Sequence, residues 1–181
     1  LVVVGMEDER AIAAGEGVDV VVGSANAGVL RERLAQVDTA AVGAIYSFGV
    51  AGGLDPALPP GTLLLSTRVV AQGVDVQRER IGDAWTADPG LVAALRVNAH
   101  RSAPGKLREA VFLGSDFEAR ENPHANSPRL REISGAAIID NESHIAAAFA
   151  RQRGKPFVAV RAVSDSVDRP LPPAALIALD A

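Results

Sequence analysis

Carboxylate side chains follow three short apolar runs of the sequence, at positions where a β-strand would end. The segments are Glu7-Asp8-Glu9, Asp140-Asn141-Glu142-Ser143-His144 and Ser164-Asp165-Ser166. Buried carboxylic acids of this kind act as general acids and bases, and acids in clefts are frequent functional residues. The segments therefore predict acid–base chemistry at one edge of a sheet, with Asp165 as the strongest candidate.

A glycine-rich segment, Gly49-Val50-Ala51-Gly52-Gly53, follows another apolar run. It indicates either a glycine-lined pocket or a tight strand-to-helix turn that binds nothing. The acidic segments also have structural interpretations. Glu7, Asp8 and Glu9 could favour a helix N-terminus, Asp140 could cap a helix beginning at Glu142, and His144 could be a packing residue.

Other chemistries lack their motifs. The segment GVAGGL does not have the G-x-G-x-x-G spacing of a dinucleotide site, and no G-x-x-x-x-G-K-[ST] loop is present. Ser24 and Ser47 do not lie in a G-x-S-x-G elbow. Three scattered histidines without any cysteine show no metal-ligand spacing, so we expect no metal site.

The elements that must position these residues alternate between β-branched runs and helix-like segments. Several runs are apolar without alternation, which is typical of strands buried on both faces of a parallel sheet. The predicted strands are Leu1–Gly5, Val18–Val22, Val42–Phe48, Thr62–Val70, Val74–Arg80, Ala110–Leu113, Ala136–Asp140 and Phe157–Val163. Helices are expected over Ala27–Val37, after Asp88-Pro89 and Ser127-Pro128, and over Glu142–Arg153.

This alternation predicts an α/β fold with three αβα layers around a central mixed, mostly parallel sheet. Thr62–Val70 and Val74–Arg80 follow one another too closely for a crossover, which indicates the mixed character. Ligands of such sheets bind beyond the carboxyl ends of the strands, where the polar segments fall. The chain has 181 residues, which predicts a single domain over 1–181. It begins at Leu1 and stops within a helix-like segment after Pro173, so we expect it to be incomplete at both ends.

Composition excludes several classes of protein. The formal charge of −4 argues against a nucleic-acid-binding surface, and the absence of cysteine excludes a disulfide scaffold and a thiol nucleophile. The longest uncharged stretch, Thr39–Leu54, is too short and too rich in glycine for a membrane span. No secretory signal is visible, which predicts a cytoplasmic protein.

Taken together, the segments resemble a known family. The resemblance to the nucleoside phosphorylase and nucleosidase superfamily rests on GMEDE at Gly5–Glu9, SFGVAGGLDPALPPGTLLLS at Ser47–Ser66, IDNESH at Ile139–His144 and PFVAVRAVSD at Pro156–Asp165. Within it, the pattern is similar to 5′-methylthioadenosine/S-adenosylhomocysteine nucleosidases. ESHIAAAFARQRGKPF and RPLPPAALIAL (Arg169–Leu179) are similar to the hopanoid-associated phosphorylase branch.

The resemblance implies cleavage of a purine N-glycosidic bond. In that interpretation Asp165 protonates or hydrogen-bonds N7 of the departing base, with Ser164 supporting it, and Glu142 holds the ribose 2′- and 3′-hydroxyls. Glu9 positions or deprotonates the attacking water. The backbone around Val50, Ala51 and Gly52 lines the base and ribose pocket. Asn141 stands where the family has a Met against the ribose, and Phe117 lies one residue from the base-stacking aromatic.

The resemblance leaves the acceptor and the substrate open. Ser47 and Val50 occupy the positions of the phosphate ligands of the phosphorylases, so hydrolysis is favoured unless Arg68 or Arg161 substitutes and phosphate is a co-substrate. No other cofactor is implied. The branch suggests adenosylhopane, whose lipid tail could bring the protein to a membrane surface. A general methylthioadenosine or S-adenosylhomocysteine nucleosidase and a non-catalytic nucleoside-binding module are the alternatives. The superfamily also implies a homo-oligomer.

Overall fold

The computed structural model describes residues 1–24, 26–73, 81–102, 105, 107–116 and 127–166. These residues form five helices and eight strands, which alternate except that β3, β4 and β5 follow one another directly. The strands are β1 (Val2–Val4), β2 (Val20–Val22), β3 (Ile45–Gly53), β4 (Leu63–Gln72), β5 (Ile81–Thr86), β6 (Leu107–Gly114), β7 (Ile138–Asp140) and β8 (Phe157–Asp165). The helices are α1 (Glu7–Ala13), α2 (Ala27–Ala35), α3 (Pro89–Ser102), α4 (Ser127–Ser134) and α5 (Ser143–Arg153).

The strands form one mixed sheet that closes on itself. Its order is β2-β1-β3-β7-β6-β4-β5, and β8 pairs with both β3 and β4, which completes a ring of β3, β7, β6, β4 and β8. Five of the eight pairings are parallel. The predicted α/β fold with a mixed, mostly parallel sheet is confirmed, and the three-layer arrangement of the helices stays a prediction.

Helix α5 is the most deeply buried helix of the described chain. Seven of its eleven residues are buried, and it contacts β3, β6 and β8. Small side chains such as Ala146, Ala147 and Ala150 let it lie close against the ring. It ends at Gly154 in the left-handed conformation, as the sequence predicts. Because α5 is held on several sides, its first turn is placed firmly at the edge of the ring.

Two predicted strand ends are wrong in a way that matters for the site. The segment Gly49–Gly53 continues β3, where the sequence predicts that the strand ends at Phe48 and a pocket or a turn follows. Ser164 and Asp165 belong to β8, which was predicted to end at Val163. The two strands pair in parallel as far as Gly52 and Asp165, with a bulge between Ala51 and Gly52. Glycines in this stretch leave space for side chains from other elements, so their pattern marks close approach within a strand.

Strand β5 was not predicted, because its sequence, IGDAWT, lacks a continuous β-branched run. The predicted strand Val74–Arg80, the aromatic candidate Phe117 and the tail Arg169–Leu179 lie outside the described residues. No helix in the described part of the chain is long and apolar enough to cross a membrane.

Candidate active site

Glu9 is buried in the first turn of α1, although the two acids before it are exposed. Its Oε2 accepts N–H bonds from Gly5 at 2.7 Å and Met6 at 3.0 Å. Its Oε1 accepts the N–H of Val50 in β3 at 2.8 Å. Among the described contacts, Oε1 thus accepts one of the two hydrogen bonds that a carboxylate oxygen can take. The Met6 contact belongs to a capping box, so Glu9 does serve the start of α1, and its contact with Val50 also joins this helix terminus to β3.

Two glycines make room for the carboxylates. A Cβ on Gly49 would lie 2.7 Å from Cδ of Glu9, closer than real side chains approach. A Cβ on Gly5 would lie 2.9 Å from Oε1 of Glu142 and 3.4 Å from Oε2 of Glu9. The two carboxylates therefore flank the same glycine, although 133 residues separate them in the sequence (142 − 9).

Arg161 of β8 is fully buried inside the ring beside these acids. Its Nη2 donates to Oγ of Ser47 at 2.8 Å and lies 3.3 Å from Oδ1 of Asp140 and 3.4 Å from Oε2 of Glu142. Among the described residues, its Nε has no partner. A buried guanidinium needs paired charge, and two carboxylates supply it here.

Glu142 lies just before α5, and its side chain is only 12% exposed. Burial raises its pKa to about 7, opposed by the attraction of Arg161 and reinforced by the negative charges of Asp140 and Glu9. At neutral pH this carboxyl is therefore divided between its protonated and ionised forms, whereas a carboxyl in water would be ionised.

Asp140, at the end of β7, holds the start of α5. Its Oδ1 accepts the N–H of Glu142 at 2.9 Å and of Ser143 at 2.6 Å, and its Oδ2 accepts the Ser143 hydroxyl at 2.6 Å. Asp140 therefore supports the start of α5 as predicted, although the helix begins at Ser143, with Glu142 at its N-cap position, one residue later than the sequence indicates. The same carboxylate also contacts Arg161, so one side chain joins the helix terminus to the buried charge.

Asp165 is buried at the end of β8, opposite Gly52 of β3. The hydroxyl of Ser164 contacts Oδ1 of Asp165 and lies 3.0 Å from the carbonyl oxygen of Ala51. Ser164 thus contacts the Asp165 carboxyl, and the supporting role that the family resemblance implies for it stays a prediction. A Cβ on Gly53 would lie 3.0 Å from the Asp165 carbonyl oxygen, so the backbones of β3 and β8 approach closely at this point.

The remaining predicted site residues lie around these acids. Val50 is 42% exposed beside Glu9, whereas Ala51 is buried and Gly52 half-buried in the same strand. Asn141 is half-buried between Asp140 and Glu142. The structure therefore joins Glu9 to Val50 by a hydrogen bond and places Glu142 beside the same glycine, Gly5. It aligns Ala51 and Gly52 with Val163 and Asp165 across β3 and β8.

Sequence reasoning missed part of the arrangement. Of the two arginines considered for an acceptor, Arg161 contacts Glu142 inside the ring, whereas Arg68 is exposed on β4. The pairing of His144 with Asp116 at 2.8 Å was not predicted. No spacing connects residues 116 and 144, so only the position of His144, two residues after Glu142, gave a signal. In the described residues, no group of three or more His, Asp or Glu is placed to hold a metal ion.

Comparison with known proteins identifies the family of the chain. A family model described as the phosphorylase superfamily matches residues 2–175. The chain belongs to the phosphorylase superfamily. Its sequence is 31% identical, over 131 residues, to the 5′-methylthioadenosine/S-adenosylhomocysteine nucleosidase of Geobacillus kaustophilus. That alignment covers 67% of this chain and 54% of the relative, so the match spans about half of the curated protein's length.

Solved structures of the superfamily share the fold. The 5′-methylthioadenosine/S-adenosylhomocysteine nucleosidase of Campylobacter jejuni superposes with a TM-score of 0.77 at 16% identity, covering 99% of this chain and 94% of that one. The Neisseria meningitidis nucleosidase in complex with methylthio-immucillin-A gives a TM-score of 0.78 at 19% identity, covering 92% and 85%. A futalosine hydrolase mutant from Helicobacter pylori gives 0.76 at 17% identity, covering 99% and 94%.

Proposed function

We propose that this chain hydrolyses the N-glycosidic bond of a purine nucleoside and releases the free base. The observation that carries the proposal is the meeting of Glu9 and Glu142 at Gly5, with Arg161 paired to Glu142 behind them. Breaking this bond leaves an electron-poor ribosyl group, and carboxylates beside it stabilise the positive charge that develops. Membership of the phosphorylase superfamily supports the same reaction class.

In this mechanism Asp165 donates a proton or a hydrogen bond to N7 of the leaving base. Adenine leaves poorly as an anion, so a positioned acid lowers the barrier, typically by about 10²–10⁴-fold in rate. The contact between the Ser164 hydroxyl and Oδ1 of Asp165 orients the carboxyl.

Glu142 and Glu9 have separate tasks in the proposal. Glu142 accepts hydrogen bonds from the ribose 2′- and 3′-hydroxyls. Glu9 positions the attacking water through the open direction of Oε1, because its other contacts are made by the N–H groups of Gly5, Met6 and Val50. As the bond to the base breaks, water adds to the sugar carbon and Glu9 takes its proton. The products are adenine and the free sugar.

We favour water over phosphate as the acceptor. The apolar side chain of Val50 is exposed at Glu9, and Arg161 is already paired with Asp140 and Glu142. Phosphate is held best by bidentate guanidinium contacts, which a guanidinium already committed to two carboxylates supplies poorly. The carboxylates of Asp140 and Glu142 beside Arg161 also repel a dianion.

Two nucleosides are candidate substrates. The curated relative favours adenosine carrying a 5′-thio substituent, such as 5′-methylthioadenosine or S-adenosylhomocysteine. The likeness of ESHIAAAFARQRGKPF to the hopanoid-associated branch keeps adenosylhopane as the second candidate. A nucleoside-binding module without activity is the remaining alternative.

One assay separates these possibilities. Purified protein is incubated with 5′-methylthioadenosine, S-adenosylhomocysteine, adenosylhopane or adenosine, with and without phosphate, and free adenine and the sugar product are measured. We expect adenine release that does not depend on phosphate. A phosphorylated sugar product would show that the reaction is phosphorolysis and not hydrolysis. Binding of a nucleoside without release of adenine would favour the inactive module.

The role of Asp165 has its own test. We expect Asp165→Asn to lower the rate of adenine release by about 10²-fold or more, because the amide cannot donate a carboxylic proton. Asp38→Asn, an exposed residue whose carboxylate accepts the N–H of Ala40, is the matched control and should retain the wild-type rate. Near-wild-type release by Asp165→Asn would remove Asp165 from the mechanism.

A further inference from the structure

His144 is a buried polar residue that the proposed mechanism does not use. It lies in the first turn of α5, two residues after Glu142, and its side chain is 8% exposed. A Cβ on Gly114 would lie 2.5 Å from Cγ of the imidazole, so the ring is packed against the end of β6. Only glycine leaves this space, which shows how closely β6 and α5 approach here.

The outer edge of the imidazole is held by Asp116. Nε2 of His144 lies 2.8 Å from Oδ1 of Asp116. Both carboxylate oxygens also accept from Nη2 of Arg31 in α2, at 2.8 and 2.9 Å. The hydrogen bond with His144, together with Arg31, lowers the pKa of Asp116 to about 2. Asp116 is therefore ionised and only accepts, which makes Nε2 of His144 the donor.

These contacts close a loop of interactions around the start of α5. Gly114 pairs with Asp140 across β6 and β7, and the N–H of Ser115 donates to the Asp140 carbonyl oxygen at 2.9 Å. The Asp140 carboxylate holds the N–H of Glu142 from the β7 side. His144, two residues after Glu142, is held in turn by Asp116, which follows β6. Glu142 thus lies between two anchors, one at each end of the turn.

We propose that His144 is a positioning residue for Glu142: pinned by Asp116 and, through it, by Arg31, the imidazole fixes the first turn of α5 against β6 and so sets where the Glu142 carboxyl meets the sugar. This inference rests on the proposed role of Glu142 in holding the ribose hydroxyls. It does not depend on the identity of the 5′ substituent or of the acceptor.

A purely packing role would be filled better by an apolar side chain. Among the described residues, Nδ1 of His144 is buried without a hydrogen-bond partner, and an unpartnered buried polar atom destabilises a fold. A leucine would occupy the space without that penalty. The donor at Nε2 is what the leucine lacks. Without it, Asp116, which is 56% exposed, would keep only its contacts with Arg31 among those described.

The test compares substrates with and without the hydroxyls that Glu142 would hold. Adenine release is measured for the better of 5′-methylthioadenosine and adenosine, and for the 2′,3′-dideoxy form of the same nucleoside. We expect His144→Leu to lower kcat/KM by about tenfold on the ribonucleoside, mainly by raising KM, and by less than about threefold on the dideoxy form. His144→Gln, whose amide N–H replaces Nε2–H, should stay within about threefold of wild type on both.

Two arginines provide a matched pair of controls. Arg31→Gln removes the support of Asp116 and should lower kcat/KM on the ribonucleoside by about threefold. Arg96→Gln breaks an exposed ion pair with Glu109 on β6. We expect it to leave kcat/KM unchanged on both substrates. If His144→Leu does not fold, Asp116→Asn and Arg31→Gln carry the same comparison, because both change exposed side chains.

The outcomes separate this inference from the proposed function. An equal loss on both substrates, or no loss on either, would overturn the positioning role while leaving the nucleosidase intact. If no nucleoside releases adenine, the proposed function fails, and the positioning role is read from the titration of the Glu142 carboxyl by ¹³C NMR instead. Glu142 faces Arg161, Asp140 and Glu9. A turn displaced by His144→Leu would change those distances and move its midpoint, and an unchanged midpoint would refute the inference.

Discussion

Glu142 shows how strongly the fold acts on a single side chain. Burial, with Asp140 and Glu9 nearby, raises its pKa from 4.5 to about 7 despite the attraction of Arg161. A sugar-binding carboxyl near half-ionisation at neutral pH can accept hydrogen bonds from hydroxyls and also respond to charge that develops on the substrate. Free glutamate has the first property alone.

The raised pKa predicts how stability depends on pH. Below pH 4.5 Glu142 is protonated whether the chain is folded or unfolded, so it contributes no pH dependence there. Between pH 4.5 and 7 only the unfolded chain loses this proton, which favours unfolding as the pH rises. We expect the free energy of unfolding of Glu142→Gln, minus that of wild type, to increase across this window and then to level off.

Urea unfolding at a series of pH values measures this difference. Glu132→Gln, an exposed carboxylate of α4 paired with Arg129, is the control for introducing an amide. A difference between Glu142→Gln and wild type that stayed flat from pH 4.5 to 7 would contradict the prediction.

Gly49 also matters as a single residue, because the methyl group of an alanine at this position would collide with Glu9, a candidate catalytic residue. We expect Gly49→Ala to displace Glu9, to destabilise the protein by about 1–3 kcal/mol and to lower adenine release by about tenfold or more. The reason is the 2.7 Å approach of the new Cβ to Cδ of Glu9. Gly43→Ala, where nothing lies within 4 Å, should leave both unchanged. Wild-type kinetics in Gly49→Ala would show that the position of Glu9 is unimportant.

At the scale of elements, the start of α5 carries more than a helix cap. Asp140 accepts two N–H groups there, as a cap does, and also neutralises the buried Arg161. Asparagine is as good a helix cap as aspartate. It lacks the charge, however, so a change to asparagine separates the two roles.

We therefore expect Asp140→Asn to destabilise the protein by roughly 2–4 kcal/mol, since it leaves part of a buried charge uncompensated. Asp88→Asn is the matched control: Asp88 accepts the N–H of Leu91 at the start of α3, and its change should cost less than about 0.5 kcal/mol. Thermal and urea unfolding measure both variants. Equal effects would mean that Asp140 acts only as a cap.

At the scale of the whole molecule, closure of the sheet brings the site together. Strand β8 pairs in parallel with β3 and antiparallel with β4, so it completes the ring and delivers both Arg161 and Asp165. A side chain contributes to the contact between β4 and β8: the buried Ser66 of β4 accepts the N–H of Ala159 in β8 at 2.8 Å. An open sheet would leave that amide without a partner.

Ser66→Ala tests this contact between β4 and β8. The variant leaves the buried N–H of Ala159 unsatisfied, and we expect a loss of about 1–3 kcal/mol in the free energy of unfolding. Thr67→Val, which removes an exposed hydroxyl bonded to the Ala110 carbonyl, should cost less than about 0.5 kcal/mol. If the two changes were equally mild, the hydroxyl of Ser66 would not contribute to closure.

The sequence by itself determined the elements and the residue types of the candidate site. Apolar runs predicted most strands, Asp88-Pro89 and Gly154 marked helix ends, and the acids after the runs included Glu9, Glu142 and Asp165. These features are local, because hydrophobic periodicity and capping depend on residues a few positions apart.

Only the tertiary structure decided how those parts meet. The continuation of β3 through Gly49–Gly53, the guanidinium of Arg161 between two acids, and the His144–Asp116 contact all join residues far apart in the chain. The ionisation of Glu142 likewise depends on burial and on charges from other elements. Electrostatic energy depends on distance and on exclusion of water, and neither quantity is written in the spacing of residues along a chain.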